Sequence, residues 1–371
     1  MKKASIDKEL KNKIDQKRHW RTVRNGTEER RQRLNNKRSR RQKAKSDGWH
    51  DEVKAPPLIN LYDEKDHERT VDFLKSLRRA VSRSKKVRIC FRDTKQITVS
   101  AGLLFISELD RLVRAFPDVK FSCIRPPVQH SSKFGNETYT VEAVLNQIGF
   151  FQLTKIKQRQ LPIYPNVSCW KHSQGTVAEG EIAGKLLNHV DNELSPAAKR
   201  RLYRGAIEAI SNCVDHAYPS ARPDGLDLDD KRWWMFVGIM MGRLVVAVCD
   251  LGVGIPTTVP QKHSWDKIRV VLEKLKLKGT RDSEMIHAST YLRSSRTEQS
   301  HRGKGGKDIR DLLNHYPGAR LTIYSNKGCF HDKNTTLLTG QKYKVGALNE
   351  QKKSILGTII EWSVPLEELA A

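Results

Sequence analysis

No Cys-x-x-Cys pair occurs in the 371 residues, although six cysteines are present: Cys90, Cys123, Cys169, Cys213, Cys249 and Cys329. Their wide separation excludes a closely spaced zinc ribbon and a densely bridged secreted scaffold. Cys90, Cys123, Cys213 and Cys249 sit inside apolar runs, which suits buried thiols in a reducing compartment. No apolar run approaches the roughly 20 residues of a membrane span, and the charged N-terminus has no apolar stretch behind it to act as a signal. A cytoplasmic protein without a membrane span is expected. The phosphate-loop pattern Gly-x-x-x-x-Gly-Lys-Ser/Thr is missing too, so any nucleotide site must be of another kind.

Acidic residues are too few to balance the basic ones, 42 Asp and Glu facing 68 Lys and Arg for a net charge of +26. Residues 1–55 hold 19 Lys and Arg against 8 Asp and Glu, a net of +11, which leaves +15 for the remainder. Such a chain is drawn to polyanions through counterion release, so nucleic acid is a candidate partner of residues 1–55. Salt-dependent binding of DNA or RNA by that segment alone would support this reading, and no binding at low salt would remove it. The same stretch has almost no apolar periodicity, and residues 1–57 are expected to be a disordered or helical basic tail ending at Pro56-Pro57.

An α/β pattern begins after the tail. Val71, Leu74, Leu77 and Val81 recur at three- and four-residue intervals and predict an amphipathic helix. Lys86–Phe91 and Val119–Ile124 read as strands, Leu103–Val113 as a helix, and Val141, Val144, Leu145 and Ile148 as the stripe of a last helix stopped by Gly149. Alternating strands and helices predict an α/β sandwich over residues 58–155. Val87–Val113 and Val141–Phe151 resemble the STAS fold of anti-sigma factor antagonists. In that family a Ser at the start of the first long helix accepts a phosphoryl group. Here the turn reads Val99-Ser100-Ala101-Gly102, and if Gly102 matches the family's glycine, Ala101 stands at the acceptor position without a hydroxyl. Residues 152–175 hold few apolar repeats and two prolines, and residues 156–194 are expected to be a linker.

The chemistry-bearing residues lie in 195–371. Ser195-Pro196 is a good helix start, and on the helix that follows, Glu208 and Asn212 are four residues apart and project together, with Asp215 next along. An amide oxygen can hold Mg²⁺ and a carboxylate can act as a base. Two strands, Trp234–Met240 and Leu244–Cys249, are joined by a tight turn at Met241-Gly242. The second runs into Asp250-Leu251-Gly252-Val253-Gly254, where a carboxylate at a strand end can accept from an exocyclic amine. Gly303-Lys304-Gly305-Gly306 opens a helix striped by Ile309, Leu312 and Leu313, and glycine-rich backbone at a helix start suits phosphates. Gly357-Thr358 leads into a last strand, Ile359–Val364.

This ordered set resembles the histidine-kinase-like (GHKL, Bergerat-fold) ATPase family. The resemblance implies an α/β sandwich of a mixed sheet with helices on one face, binding ATP and Mg²⁺. It assigns Glu208 as the activating base and Asn212 as the Mg²⁺ ligand. Asp250 becomes the adenine-amine acceptor, Gly252, Gly254, Gly303, Gly305 and Gly306 shape the nucleotide pocket, and Thr358 lines the adenine side. Asp215 and Lys304 are added as nucleotide-binding candidates, and Thr257–Arg302 fits the family's mobile lid, with Arg293 and Arg296 within reach of a γ-phosphate.

Three outcomes compete for the bound nucleotide: a sensor histidine kinase, a serine/threonine protein kinase resembling anti-sigma factor kinases, and a regulatory protein in which binding or slow hydrolysis of Mg-ATP gates an interaction with a protein partner or nucleic acid. The last is preferred, and a homodimer is a candidate assembly. A different class is a nucleic-acid-binding protein acting through its basic tail. A sensor histidine kinase is disfavoured, because His189 lacks the spacing of a phosphoacceptor.

Overall fold

The computed structural model describes residues 50–126, 141–161, 171–178, 180–226, 231–292, 305–336 and 342–369. Residues 1–49 of the basic tail, Cys169, Gly303, Lys304, Arg293 and Arg296 lie outside them. The chain divides into a small unit, Met1–Gly48 with Ala221–Asp227, and a large one, Trp49–Ser220 with Leu228–Ala371. In the small unit the described residues form a turn in which Arg222 Nε lies 3.5 Å from Asp224 Oδ2. Everything below concerns the large unit, which is α/β.

Strands β1 (His50–Lys54), β3 (Lys86–Cys90) and β5 (Lys120–Ile124) form a parallel sheet in the order β1-β3-β5. Helices α1 (Glu64–Val81) and α2 (Val99–Ala115) supply the crossovers that parallel neighbours require. A short parallel pair, β2 (Leu58–Ile59) and β4 (Gln96–Ile97), precedes α1 and α2 respectively in sequence. The order of elements starts earlier than the sequence predicts. Residues 50–54, assigned to the tail, form β1, whose one apolar residue, Val53, is buried. Ladder bonds to β3 hold it rather than hydrophobic patterning. Helices α3 (Val141–Gln147) and α4 (Phe150–Thr154) meet at Gly149, which turns the chain at φ 80°. Phe73, Phe91, Phe105, Phe150 and Phe151 form one ring-to-ring cluster with centroids 5.0–6.0 Å apart.

The second sheet has seven strands in the order β11-β10-β9-β12-β8-β7-β6. They are β6 (Lys171–Gly175), β7 (Trp233–Met240), β8 (Arg243–Asp250), β9 (Arg320–Ser325), β10 (Gly328–Thr336), β11 (Lys342–Glu350) and β12 (Thr358–Pro365). Every ladder in it is antiparallel, which corrects the expected mixed sheet. Tight turns at Met241-Gly242 and Asn326-Lys327, with Met241, Gly242 and Asn326 at positive φ, make hairpins, and hairpins make antiparallel neighbours.

One face of this sheet packs on α5 (Gly180–Leu187), α6 (Pro196–His216) and α10 (Gly305–His315). Trp233, Met235, Val246, Val248, Ile323, Ile360 and Trp362 point into that core. Trp362 donates its ring N–H to Ile309 O at 2.7 Å, tying β12 to α10. Gly205 lets α6 lie close over the same ring, a Cβ there falling 3.3 Å from it. The opposite face carries buried Trp234, Phe236, Val245, Ala247 and Ile359, and α2 packs on β7, β8 and β12 there. Helices therefore cover both faces, not one, because both faces are apolar and each needs a cover. The expected linker is corrected as well. It contains edge strand β6, and its Ala183, Leu186, Leu187 and Val190 enter the core.

Among the described residues no helix is long and apolar enough to cross a membrane. The segment expected to be a mobile lid is helical through its described part. It comprises α7 (Ile255–Lys262), α8 (Trp265–Lys274) and α9 (Asp282–Ser289), packed on Val259, Ile268, Leu272, Met285 and Ala288.

Candidate functional site

The α6 helix starts as the sequence predicts, with Ser195 Oγ accepting from the Ala198 amide at 3.4 Å and Pro196 in the first turn. Its stripe of Ala198, Leu202, Ala206, Ala209 and Cys213 is buried, whereas Glu208 and Asn212 are half-buried. Asn212 donates to Glu208 Oε1 at 3.2 Å. Burial raises the Glu208 carboxyl above its ordinary value, and the charges of Asp308 and Asp215 add to this. The Asn212 bond and Lys262 act against it. Glu208 thus senses the first turn of α10, where Gly305 and Gly306 begin the helix, and the end of α7. Asp215 is exposed.

Asp250 closes β8 and is 5% exposed. In the ladders it stands opposite Trp233 on one side and Thr358 on the other, with Ser325 opposite Thr358 in turn. Cys213 of α6 offers its thiol to Asp250 Oδ2 at 3.7 Å, and the Gly252 amide donates to Oδ1 at 2.9 Å. Burial pushes the Asp250 carboxyl up to about 6, against hydrogen bonds from Gly252, Cys213 and Thr358 that lower it. The glycines act by close approach. A Cβ on Gly252 would lie 2.0 Å from Ala217 O, while Val253 donates to that same oxygen at 2.9 Å. The loop is therefore pressed onto the end of α6. Gly357, at φ +149°, passes over Asp250 O, where a Cβ would lie at 2.3 Å.

Residues that the motifs did not single out complete the rim. Ser325 Oγ lies 2.9 Å from Thr358 Oγ1 and accepts from the Ile255 amide at 2.8 Å. Asn326 donates to Val253 O at 2.9 Å, and its side chain fills the space a Cβ on Gly254 would need. Tyr218 accepts from the Leu251 amide at 3.0 Å. Lys262 Nζ lies 2.6 Å from His216 Nε2, whose tendency to protonate is lowered by burial and by Lys262. A neutral imidazole accepting from the ammonium satisfies both.

Of the sequence candidates, Asp250, Gly252, Gly254 and Thr358 gather at the ends of β8 and β12, Cys213 ties Asp250 to α6, and Glu208 and Asn212 precede Cys213 on that helix, where the α10 start supplies the Asp308 charge felt by Glu208. Among the described residues no group of three or more His, Cys, Asp or Glu could hold a metal ion. No family model matches the chain, and no curated protein proves similar to it.

The position of Asp250 has a measurable consequence. Its folded value of about 6 exceeds the ordinary 3.8, so the folded state holds the proton more tightly than the unfolded state. The associated stability is present below about pH 4 and is lost as pH rises through about 6. Relative to Asp250→Asn, which cannot titrate, the unaltered protein is expected to lose urea stability over that window and then level off. A pH-independent difference between the two would contradict the assigned burial.

Proposed function

We propose that the protein binds Mg-ATP at the ends of α6, β8 and β12 and uses that binding, or slow hydrolysis, to gate an interaction with a partner. The observation that carries this reading is the pairing of Asp250 and Thr358 as cross-strand neighbours, one buried carboxylate beside one hydroxyl, bonded through Cys213 to the helix α6 that also carries the Glu208–Asn212 pair. A buried carboxylate at a strand end suits an adenine amine. Asn212 turns its Nδ2 to Glu208, which leaves Oδ1 for a cation. Mg²⁺ normally keeps few protein ligands and takes the rest from phosphates and water, so one amide oxygen fits a cation that arrives with the nucleotide. The resemblance to histidine-kinase-like ATPases agrees with each role.

Glu208 is the candidate base, because burial raises its affinity for a proton. Its target is water in a gated ATPase and a partner's hydroxyl in a serine/threonine kinase, which is the second reading. The gated reading is favoured by the α2 start. Ala101 has no hydroxyl, and Ser100 is fully buried and bonded to Glu361, so neither serves as a phosphoryl acceptor in this fold.

Glu208→Gln is expected to leave Mg-ATP affinity within about threefold and to lower turnover by about 10²–10⁴, the usual share of a general base. Calorimetry with Mg-ATP and release of labelled γ-phosphate measure the two quantities. Label appearing on a partner protein supports the kinase, and label appearing only as free phosphate supports the ATPase. Absence of Mg-ATP binding would overturn the whole reading.

A further inference from the structure

The connector from β11 to β12, residues 351–357, delivers Thr358 to the site in an unfavourable conformation. Leu356 has φ 57° and Gly357 φ +149°, and a non-glycine residue in the left-handed region persists only when its surroundings hold it there. Asn326 holds this stretch directly, its amide donating to Gly357 O at 3.1 Å and its carbonyl accepting from the Ile355 amide at 3.0 Å, and a second set of holding groups, at Lys352 and Lys353, comes from the N-terminal layer. His67 of α1, 1% exposed, contacts Lys353 O through Nε2 at 3.1 Å. Lys353 Nζ lies 2.5 Å from Asp72 Oδ2, and Lys352 Nζ lies 3.1 Å from both Glu64 and Glu68 of the same helix. Three residues beyond Thr358, the Glu361 carboxylate is 3% exposed on the opposite face of β12. It accepts from Tyr62 OH at 2.7 and 2.8 Å and from Ser100 at the start of α2. Both flanks of Thr358 are thus tied to residues 62–100.

The contacts differ in weight. Lys352 is 69% exposed, and exposed ion pairs of this kind contribute little. His67 and Glu361 are buried, where an unpaired polar group is costly. They carry the connection.

We infer that His67, Tyr62 and Glu361 are positioning residues for the Gly357–Thr358 edge of the nucleotide site, so that docking of the N-terminal layer and nucleotide occupancy strengthen each other. The inference rests on the Mg-ATP reading above. None of the three needs to touch the nucleotide. They add to the ladder bonds and the Asn326 contacts that bring Thr358 beside Asp250, and linkage makes the effect reciprocal: a ligand that needs the ordered edge also orders the groups that hold it.

The test uses the full chain. His67→Ala removes the bond to Lys353 O, His67→Gln restores a donor there, and Tyr62→Phe removes one hydroxyl from Glu361 while keeping the ring. Mg-ATP affinity is expected to fall about tenfold in His67→Ala and in Tyr62→Phe, and to return to within about threefold of the parent in His67→Gln. Amide exchange of residues 64–72 is expected to slow when Mg-ATP is added to the parent, although none of these residues is assigned to the site. Tyr62→Phe, a single-atom change on a residue that is half-exposed as a whole, keeps the test open should His67→Ala unfold. Parent binding with equal affinity in Tyr62→Phe and His67→Ala overturns this inference alone. Failure of the parent to bind Mg-ATP overturns the nucleotide reading and the inference with it.

Discussion

Asp250→Ala is expected to lower Mg-ATP affinity by about two orders of magnitude or more, measured by calorimetry at pH 7.5. A hydrogen bond to a charged acceptor contributes about 1.5–3 kcal/mol, or roughly tenfold to more than a hundredfold at 1.4 kcal/mol per decade. A site built to accept a particular amine also loses the partner for that amine once it is buried. Asp250→Asn separates this from a folding effect. The amide keeps the shape and can still accept from Gly252, but it turns an N–H₂ toward the ligand's own donor. Above pH 6 it also removes the cost of an ionised carboxylate that is 5% exposed. Asp250→Asn is therefore expected to be at least as stable as the parent at pH 7.5 and yet to bind Mg-ATP poorly. Equal affinity in parent, Asp250→Ala and Asp250→Asn would remove Asp250 from the site.

The parts of the site that could be read in advance are those set by local chemistry. Ser195-Pro196 marks a helix start, Met241-Gly242 marks a hairpin, and Asp250 with its glycines marks a strand running into a tight loop. The structure realises all three. Ser325, Asn326 and Tyr218 carry no such mark, because their roles come from β9 lying beside β12 and from the loop pressing on α6, contacts between residues far apart in sequence. Lys262 was hidden inside a segment expected to be a loop. Helix α5 was legible, since Ala183, Leu186 and Leu187, with Val190 just beyond its end, follow the helical spacing i, i+3, i+4, i+7. Strand β1 was not legible: His50-Asp51-Glu52-Val53-Lys54 offers a single buried apolar side chain, and only the pairing with β3 makes it a strand. The cover of the second sheet face followed the same logic. Strands β7, β8 and β12 are apolar on alternate and intervening positions alike, which is the signature of a sheet buried on both sides. Reading residues 58–155 and 195–371 as separate sandwiches left that second face without a partner, and α2 is the partner the structure supplies.

Arg310→Ala is expected to destabilise the fold by about 3–5 kcal/mol, the range for removing one member of a buried ion pair. Arg310 of α10 reaches Asp332 Oδ2 of β10 at 2.6 Å, and the two side chains are 7% and 1% exposed. It also reaches Thr290 Oγ1 at 3.3 Å, and its guanidinium lies 4.6 Å from the centre of the Tyr291 ring. One side chain thereby joins α10, β10 and the residues that follow α9. Alanine removes the charge and leaves the Asp332 carboxylate buried, whereas pairing Arg310→Met with Asp332→Leu removes both charges together. The double variant is expected to recover most of the loss in urea unfolding, because uncompensated charge rather than the missing contact dominates the penalty. Arg310→Lys keeps the charge but loses the planar fork and its stacking, and falls between the two. The neighbouring His287 provides a second readout. It stacks on Phe330 with centroids 4.6 Å apart, and burial, then the Arg310 charge, push it down to about 4. A depressed histidine keeps its stability contribution above about pH 6.5 and loses it as pH falls toward 4. Removing the Arg310 charge should move the His287 titration upward by NMR, by less than the full shift, since burial is the larger cause. A single and a double variant with equal losses, or a His287 titration unmoved by Arg310→Met, would show that this ion pair does not govern the packing of α9 and α10 on the sheet.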